Sequence, residues 1–413
     1  MEFYLVGIKG TGMSALANIL VDLGHNVRGI DYPKKYFTED SFRDSIVCES
    51  FDDFSLSKAY FYVIGNAFKL SNFTKKIIDS GYNFMYYPEF LESFFMMKKI
   101  GICGSHGKTT TTCFASKLID EPLNVLIGDG SGYGDENAEC FLFEACEYQN
   151  NFLAFSFDYL VVLNIDYDHP DFFKSDSEYF NAFQKAALNS KGIIVNYDDL
   201  NCRKLIHSNK ISFGFNPEAD VVIQMSDDQV ILSFYDEKYS IDFPFVGRHL
   251  VYDFVAAFLV AYLISPDCNK IIERVPMLYL PKRRLAEFVV GSNVFVNDYA
   301  HHPTEIKALY QSLSSKYPNK KLIAIYQPHT FSRTNAFLLG YISSLKLFDE
   351  VYVMPIFSSV REEDCDMWLL LNSDSSFLKY DRNLKETLKN TKNNVIAFIG
   401  AGDIDLEFYF FIN

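Results

Sequence analysis

Ile100-Gly101-Ile102-Cys103-Gly104-Ser105-His106-Gly107-Lys108-Thr109-Thr110-Thr111-Thr112 runs from an apolar strand through a glycine turn into the start of a helix. Strand, turn and helix in that order form a phosphate cradle. The glycines let backbone N–H groups approach phosphate oxygens, and the helix N-terminus favours an anion. Lys108 supplies a point charge to the outer phosphates, and Thr109 supplies a hydroxyl for Mg2+. The generic pattern opens with Gly where this chain has Ile102. A bare G-K-T also occurs in ordinary loops, so the loop alone indicates a nucleoside triphosphate and nothing finer.

Outward from this loop, apolar runs of strand length alternate with amphipathic stretches, which predicts parallel sheets with crossover helices and an α/β class. A strand over 3–8, a turn at Gly10 and Gly12, a helix over 13–23 and a strand over 26–30 make one βαβ unit. The cradle belongs to a second sheet with strands over 100–103, 141–143, 159–164 and 192–196. A third follows Pro281, with strands near 294–296, 321–326, 350–354 and 395–399. At 413 residues the chain is too long for one core. Three domains are expected, over 1–97, 98–280 and 281–413. Between Ser212 and Phe245, alternating segments over 221–224 and 230–234, broken by Asp227-Asp228 and Asp236-Glu237, predict hairpins that decorate the middle sheet.

The net charge of -15 argues against a surface for nucleic acid or anionic membrane, because such partners need clustered Lys and Arg. It does not exclude an anionic small ligand held by a few local donors and a metal ion. The N-terminal stretch lacks the pattern of a secretory signal, so a cytoplasmic location is expected. The apolar run over 254–264 is well short of the roughly 20 residues that span a bilayer. Eight cysteines include no C-x-x-C pair, which points to reduced, mostly buried thiols rather than zinc or redox chemistry.

Several polar groups fall where strands should end. Glu144 follows Phe141-Leu142-Phe143, and Asp166-Tyr167-Asp168-His169 follows the strand ending at Asn164. Strand ends meet at the ligand crevice of an open α/β sheet, so these acids can converge on a metal beside Lys108; the same acids also suit solvated turns. Gly7-Ile8-Lys9-Gly10-Thr11-Gly12-Met13-Ser14-Ala15, with Asp31 at the end of the next strand, fits a dinucleotide or nucleotide-sugar site, though such turns also serve packing. His301 and His302, His329 and Arg333 cluster in two further loops beside Asp298 and Pro328.

Taken in order along nearly the whole chain, these segments resemble the Mur ligases. G-x-x-G-x-G-M-S, the G-S-H-G-K-T-T-T loop, E-A-C-E-Y, N-I-D-Y-D-H-P, D-Y-A-H-H-P-T-E-I and Q-P-H-T-F-S-R-T are similar to motifs of that family, and several of them to its alanine-adding member. The resemblance implies a Rossmann-like UDP-sugar-binding domain, a P-loop-type central ATPase domain and a Rossmann-like C-terminal domain for the amino acid. It implies ATP-dependent ligation of L-alanine to the lactyl carboxylate of UDP-N-acetylmuramate, with ATP and Mg2+. Gly10, Thr11, Gly12, Met13, Ser14, Asp31 and Asn66 would then bind the UDP-sugar. Gly104, Ser105, His106, Gly107, Lys108, Thr109, Thr110, His249, Asp253 and Arg284 would bind ATP. Thr109, Glu144 and His169 would serve metal, and Lys108, His169, Asp298, His301 and Arg333 catalysis, the third-domain groups joining on closure.

One departure stands out: the family places Asn where this chain has Asp253 after Gly247-Arg248-His249, and an Asp can accept from an adenine amine but cannot also donate to the ring. The neighbouring alternatives are a sister ligase that attaches a preformed peptide to the same sugar, the related folylpolyglutamate synthetases, and a binding protein of this fold without turnover.

Overall fold

The computed structural model describes residues 1–51, 56–226, 229–234, 237–357 and 366–412. The chain forms two compact units. The first comprises Met1–Asp166, Ser177–Phe243 and Tyr252–Tyr279; the second comprises Tyr167–Asp176, Pro244–Val251 and Leu280–Asn413. Two short stretches from the middle of the sequence therefore fold with the C-terminal sheet.

The first unit carries two sheets. One is wholly parallel, in the order Val47–Glu49, Asn26–Ile30, Glu2–Val6, Phe61–Ile64 and Phe84–Tyr86. Its central strand is buried from Phe3 to Val6, as expected of a strand covered on both faces. The chain order reverses between Glu2–Val6 and Phe61–Ile64, and at such a switch point the strand ends open a crevice that receives the Gly7–Gly12 turn. The strands at 47–49, 61–64 and 84–86 were not anticipated: runs of three or four residues carry too little periodicity.

The second sheet has ten strands. At its centre Lys98–Cys103 lies between Tyr159–Val162 and Cys140–Glu144, all parallel. The cradle loop thus emerges between Glu144 on one side and the Asn164–Asp166 segment on the other. The expected hairpins are present as an antiparallel edge, Val221–Ser226, Gln229–Phe234 and Glu237–Asp242. Asp227, Asp228 and Asp236, which mark the turns in the sequence, lie outside the described residues.

A segment with glycine at every second position, Gly128, Gly130, Gly132 and Gly134, packs against the helix Thr11–Asp22. A Cβ at Gly132 would lie 2.6 Å from the Ala15 carbonyl, and one at Gly134 2.9 Å from that of Ile19. The close approach permits polar ties: Ser14 Oγ donates to Gly130 O (3.1 Å), Arg43 Nη2 to Gly132 O (3.3 Å) and Gly134 N to Asp22 Oδ2 (3.2 Å). The helix that begins at the candidate nucleotide-sugar turn is so fixed to the second sheet.

The second unit is built on six strands in the order Ala286–Val290, Asn293–Asp298, Asn394–Ile399, Lys321–Tyr326, Glu350–Val353 and Leu378–Lys379. Only the first pairing is antiparallel. The strands Asn293–Asp298, Asn394–Ile399 and Lys321–Tyr326 bury Val296, Ala324, Tyr326, Ala397 and Ile399. Among the described residues no helix is long and apolar enough to cross a membrane; the apolar run over 254–264 forms most of the helix Arg248–Ile264.

Candidate functional site

The cradle loop closes on itself through its neighbours. Gly104 and Gly107 take φ of 142° and 85°, a backbone that L side chains rarely adopt, and Gly107 caps the helix Lys108–Leu118. A Cβ at Gly107 would overlap the carboxylate of Asp253, which is buried against the loop. Asn164 brackets His106: its Oδ1 accepts from His106 N (2.8 Å) and its Nδ2 donates to His106 O (3.0 Å). Ser105 Oγ donates to Asp166 O (2.6 Å), and His106 Nε2 lies 3.0 Å from Asp166 Oδ2. The backbone is therefore held for a ligand by side chains from the adjacent strand end. Thr110 is buried inside the helix start.

Two carboxylates serve consecutive residues of the loop. Thr109 Oγ1 donates to Glu144 Oε2 at 2.7 Å, and Lys108 Nζ lies 3.0 Å from Glu147 Oε2. Burial opposes the lysine's charge, but Glu147 and Glu144 outweigh it and hold its pKa above the ordinary value. Glu147 was missed in the sequence, although the repeated acid in E-A-C-E is its signal. Thr109 and Glu144 are hard oxygen donors at a helix N-terminus, and a Cβ at Gly128 would collide with the Glu144 carboxylate, so the pocket is shaped around that acid. This donor set fits Mg2+.

At the other sheet of this unit, the turn carrying Gly10, Thr11, Gly12 and Met13 leads into the helix Thr11–Asp22. Asp31 does not offer a free carboxylate. Its oxygens accept the backbone N–H groups of Lys9 and Tyr32, each at 2.8 Å, and burial raises its pKa against those bonds. Lys9 was also overlooked; its ammonium donates to Tyr32 O (3.1 Å) and Lys34 O (2.9 Å) and pairs with Glu39 (3.2 Å). Asn66, at the end of Phe61–Ile64, donates to Asn151 Oδ1 at 2.8 Å.

The second unit gathers another set. Arg333 grips Asp168 with two hydrogen bonds, Nε to Oδ1 (2.8 Å) and Nη2 to Oδ2 (3.2 Å), both side chains more than nine-tenths buried. Burial raises the Asp168 pKa, but the guanidinium overcomes it and holds the carboxyl well below its usual range. Thr330, just before Arg333, is β-branched yet has φ of 64°, a strained backbone that marks the turn presenting the arginine. His169, itself at φ 57°, has Nδ1 3.4 Å from Arg333 Nη2. Its Nε2 lies 3.8 Å from Asp168 Oδ2, so the ring sits beside the Arg333–Asp168 pair.

His301 Nδ1 lies 3.0 Å from Tyr299 O and 3.3 Å from Glu305 Oε2. Glu305, another residue the sequence reading passed over, also accepts from His301 N (2.9 Å) and His302 N (3.2 Å) as the capping-box acid of the helix Pro303–Lys316. Its signal was legible as H-P-T-E. Arg284 Nη1 stands 3.8 Å from the same carboxylate. Asp298 faces inward: its oxygens accept Leu285 N and Ala300 N, each at 2.8 Å, so it braces the loop that carries His301. His249 is pushed down to about 4 by burial, with Arg284 lowering it further.

Three models of one family match this chain: the Mur ligase family catalytic domain over residues 2–94, the Mur ligase middle domain over 131–261, and the Mur ligase glutamate ligase domain over 283–373. Among solved structures, UDP-N-acetylmuramate-alanine ligase of Thermotoga maritima superposes with a TM-score of 0.79 at 22% identity, over 100% of this chain and 98% of that one. A murein peptide ligase of Psychrobacter arcticus gives 0.71 at 19%, over 100% and 98%. A pseudomurein peptide ligase type C of Methanothermus fervidus gives 0.66 at 17%, over 100% of each chain.

Proposed function

Because the chain belongs to the Mur ligase family of ATP-dependent ligases of peptidoglycan precursors, we propose that it joins L-alanine to the lactyl carboxylate of UDP-N-acetylmuramate. The observation that carries the phosphoryl chemistry is the loop at Gly104–Thr110, with Lys108 at its exit and Thr109 bonded to Glu144. The amino-acid assignment is supported by the E-A-C-E-Y and Q-P-H-T-F-S-R-T segments.

In this reading the lactyl carboxylate attacks the γ-phosphorus of ATP and ADP departs, leaving an acyl phosphate. The amine of L-alanine then attacks the acyl carbon and inorganic phosphate leaves. Backbone N–H groups of the loop and the Lys108 ammonium hold the phosphates and offset their charge, while Gly10–Ser14 position the UDP-sugar. Thr109 and Glu144 would hold Mg2+, which supplies further charge neutralisation on the phosphates when bound. Arg333, fixed by Asp168, and His301, fixed by Glu305, are the groups of the second unit assigned to the amino-acid step.

Phosphate release from ATP tests this with UDP-N-acetylmuramate present, with and without L-alanine, and with the other amino acids and the free tripeptide in parallel. Release that requires both UDP-N-acetylmuramate and L-alanine is expected. Release driven by the tripeptide would move the assignment to a peptide-attaching ligase, and tight UDP-sugar binding without release would mark a protein that has lost turnover.

A further inference from the structure

The Lys108 ammonium is fully engaged within the protein. It donates to Gly104 O at 2.5 Å, to Ser105 O at 3.3 Å and to Glu147 Oε1 at 3.2 Å, which accounts for all three of its protons. Glu147 is 1% exposed and Lys108 12%. The acid lies at a sharp turn: its carbonyl accepts from Asn150 N (2.9 Å), and Gln149 and Asn150 both take positive φ, 54° and 58°. Glu144, three residues earlier, is bonded to Thr109 and so does not serve Lys108 directly.

From this arrangement we propose that Glu147 is a positioning residue for Lys108, a resident counter-ion with which the phosphates of an incoming nucleotide compete, so that it sets nucleotide affinity. The inference rests on the reading of the loop as a triphosphate site. A buried ammonium without a partner is strongly disfavoured, so Glu147 stabilises the Lys108 charge inside the loop. The same carboxylate, 3.0 Å from Nζ, reduces the positive charge that a phosphate meets there. The loop thus binds nucleotide less tightly than one whose lysine had no counter-ion.

The test is calorimetric titration of the full chain with ADP in excess Mg2+, for the wild type, Glu147→Gln, Lys108→Met and the double variant. Glu147→Gln is expected to tighten ADP binding by about fivefold or more, and that gain is expected to shrink to within about twofold once Lys108 is replaced, because the two residues act as one unit. Weaker or unchanged binding in Glu147→Gln overturns the proposal, since a merely structural acid would loosen the loop when removed. An equal gain in both backgrounds also overturns it, because the acid would then act on the phosphates directly. Absence of ADP binding to the wild type removes the triphosphate reading along with it. If circular dichroism shows Glu147→Gln unfolded, Glu147→Asp, which withdraws the carboxylate by one methylene, takes its place in the same cycle with gain in the same direction.

Discussion

His301 and His249 translate burial into solution behaviour. Burial pushes His301 down to about 3, with Arg333 and His329 lowering it further and Glu305 and Asp168 opposing; His249 falls to about 4. Both stay neutral in the folded chain, whereas the unfolded chain takes up a proton on each below the ordinary value of 6.5. The folded pKa is the depressed one, so this stabilisation is fully present above 6.5 and is lost as pH falls toward the folded values. At about 1.4 kcal/mol per unit, moving from pH 7 to pH 5 should cost about 2 kcal/mol for each histidine. Urea midpoints followed across that range should fall, and His301→Gln should remove about half of the slope. An unchanged slope in the variant would show that His301 is not held neutral.

At the scale of elements, the Gly128–Gly134 segment decides how the helix Thr11–Asp22 is seated. Its alternate glycines bring strand backbone against helix backbone, and a methyl group at Gly132 has a carbonyl at 2.6 Å and another at 3.0 Å to displace. Gly132→Ala should therefore destabilise the chain by about 1–3 kcal/mol through overpacking. It should also weaken UDP-sugar binding, because Ser14 in the first turn of that helix is tied to Gly130 O. Denaturant unfolding and sugar titration check this, and loss of stability with sugar affinity intact would confine the segment to packing. The alternation of glycine is visible in the sequence, but which surface it faces is not, since a glycine run suits a flexible turn equally well.

At the scale of the molecule, the two nucleotide ligands of the proposed reaction belong to different sheets of the first unit. Lys108→Ala should abolish ADP formation while UDP-sugar affinity changes by less than about twofold, because the Lys108 ammonium is bonded to Gly104 O, Ser105 O and Glu147 rather than to the Gly10–Ser14 turn. Parallel measurement of turnover and UDP-sugar binding decides it; a comparable loss of sugar affinity would count against the separation.

By itself the sequence determined the α/β class, three sheets and the cradle loop, because hydrophobic periodicity and glycine turns are local properties that neighbouring residues carry. It also marked Glu144 at a strand end and His301 and Arg333 in two further polar loops, though Arg333 falls inside the short helix Phe331–Ala336. Only the tertiary structure decided their partners. Arg333 meets Asp168 across 165 residues, Lys108 meets Glu147 across 39, and Asp31 and Asp298 turn out to brace backbone rather than offer free carboxylates. The physical reason is that a buried charge or carboxylate must find its donors wherever the packed chain brings them, and that choice depends on through-space neighbours that no local pattern encodes.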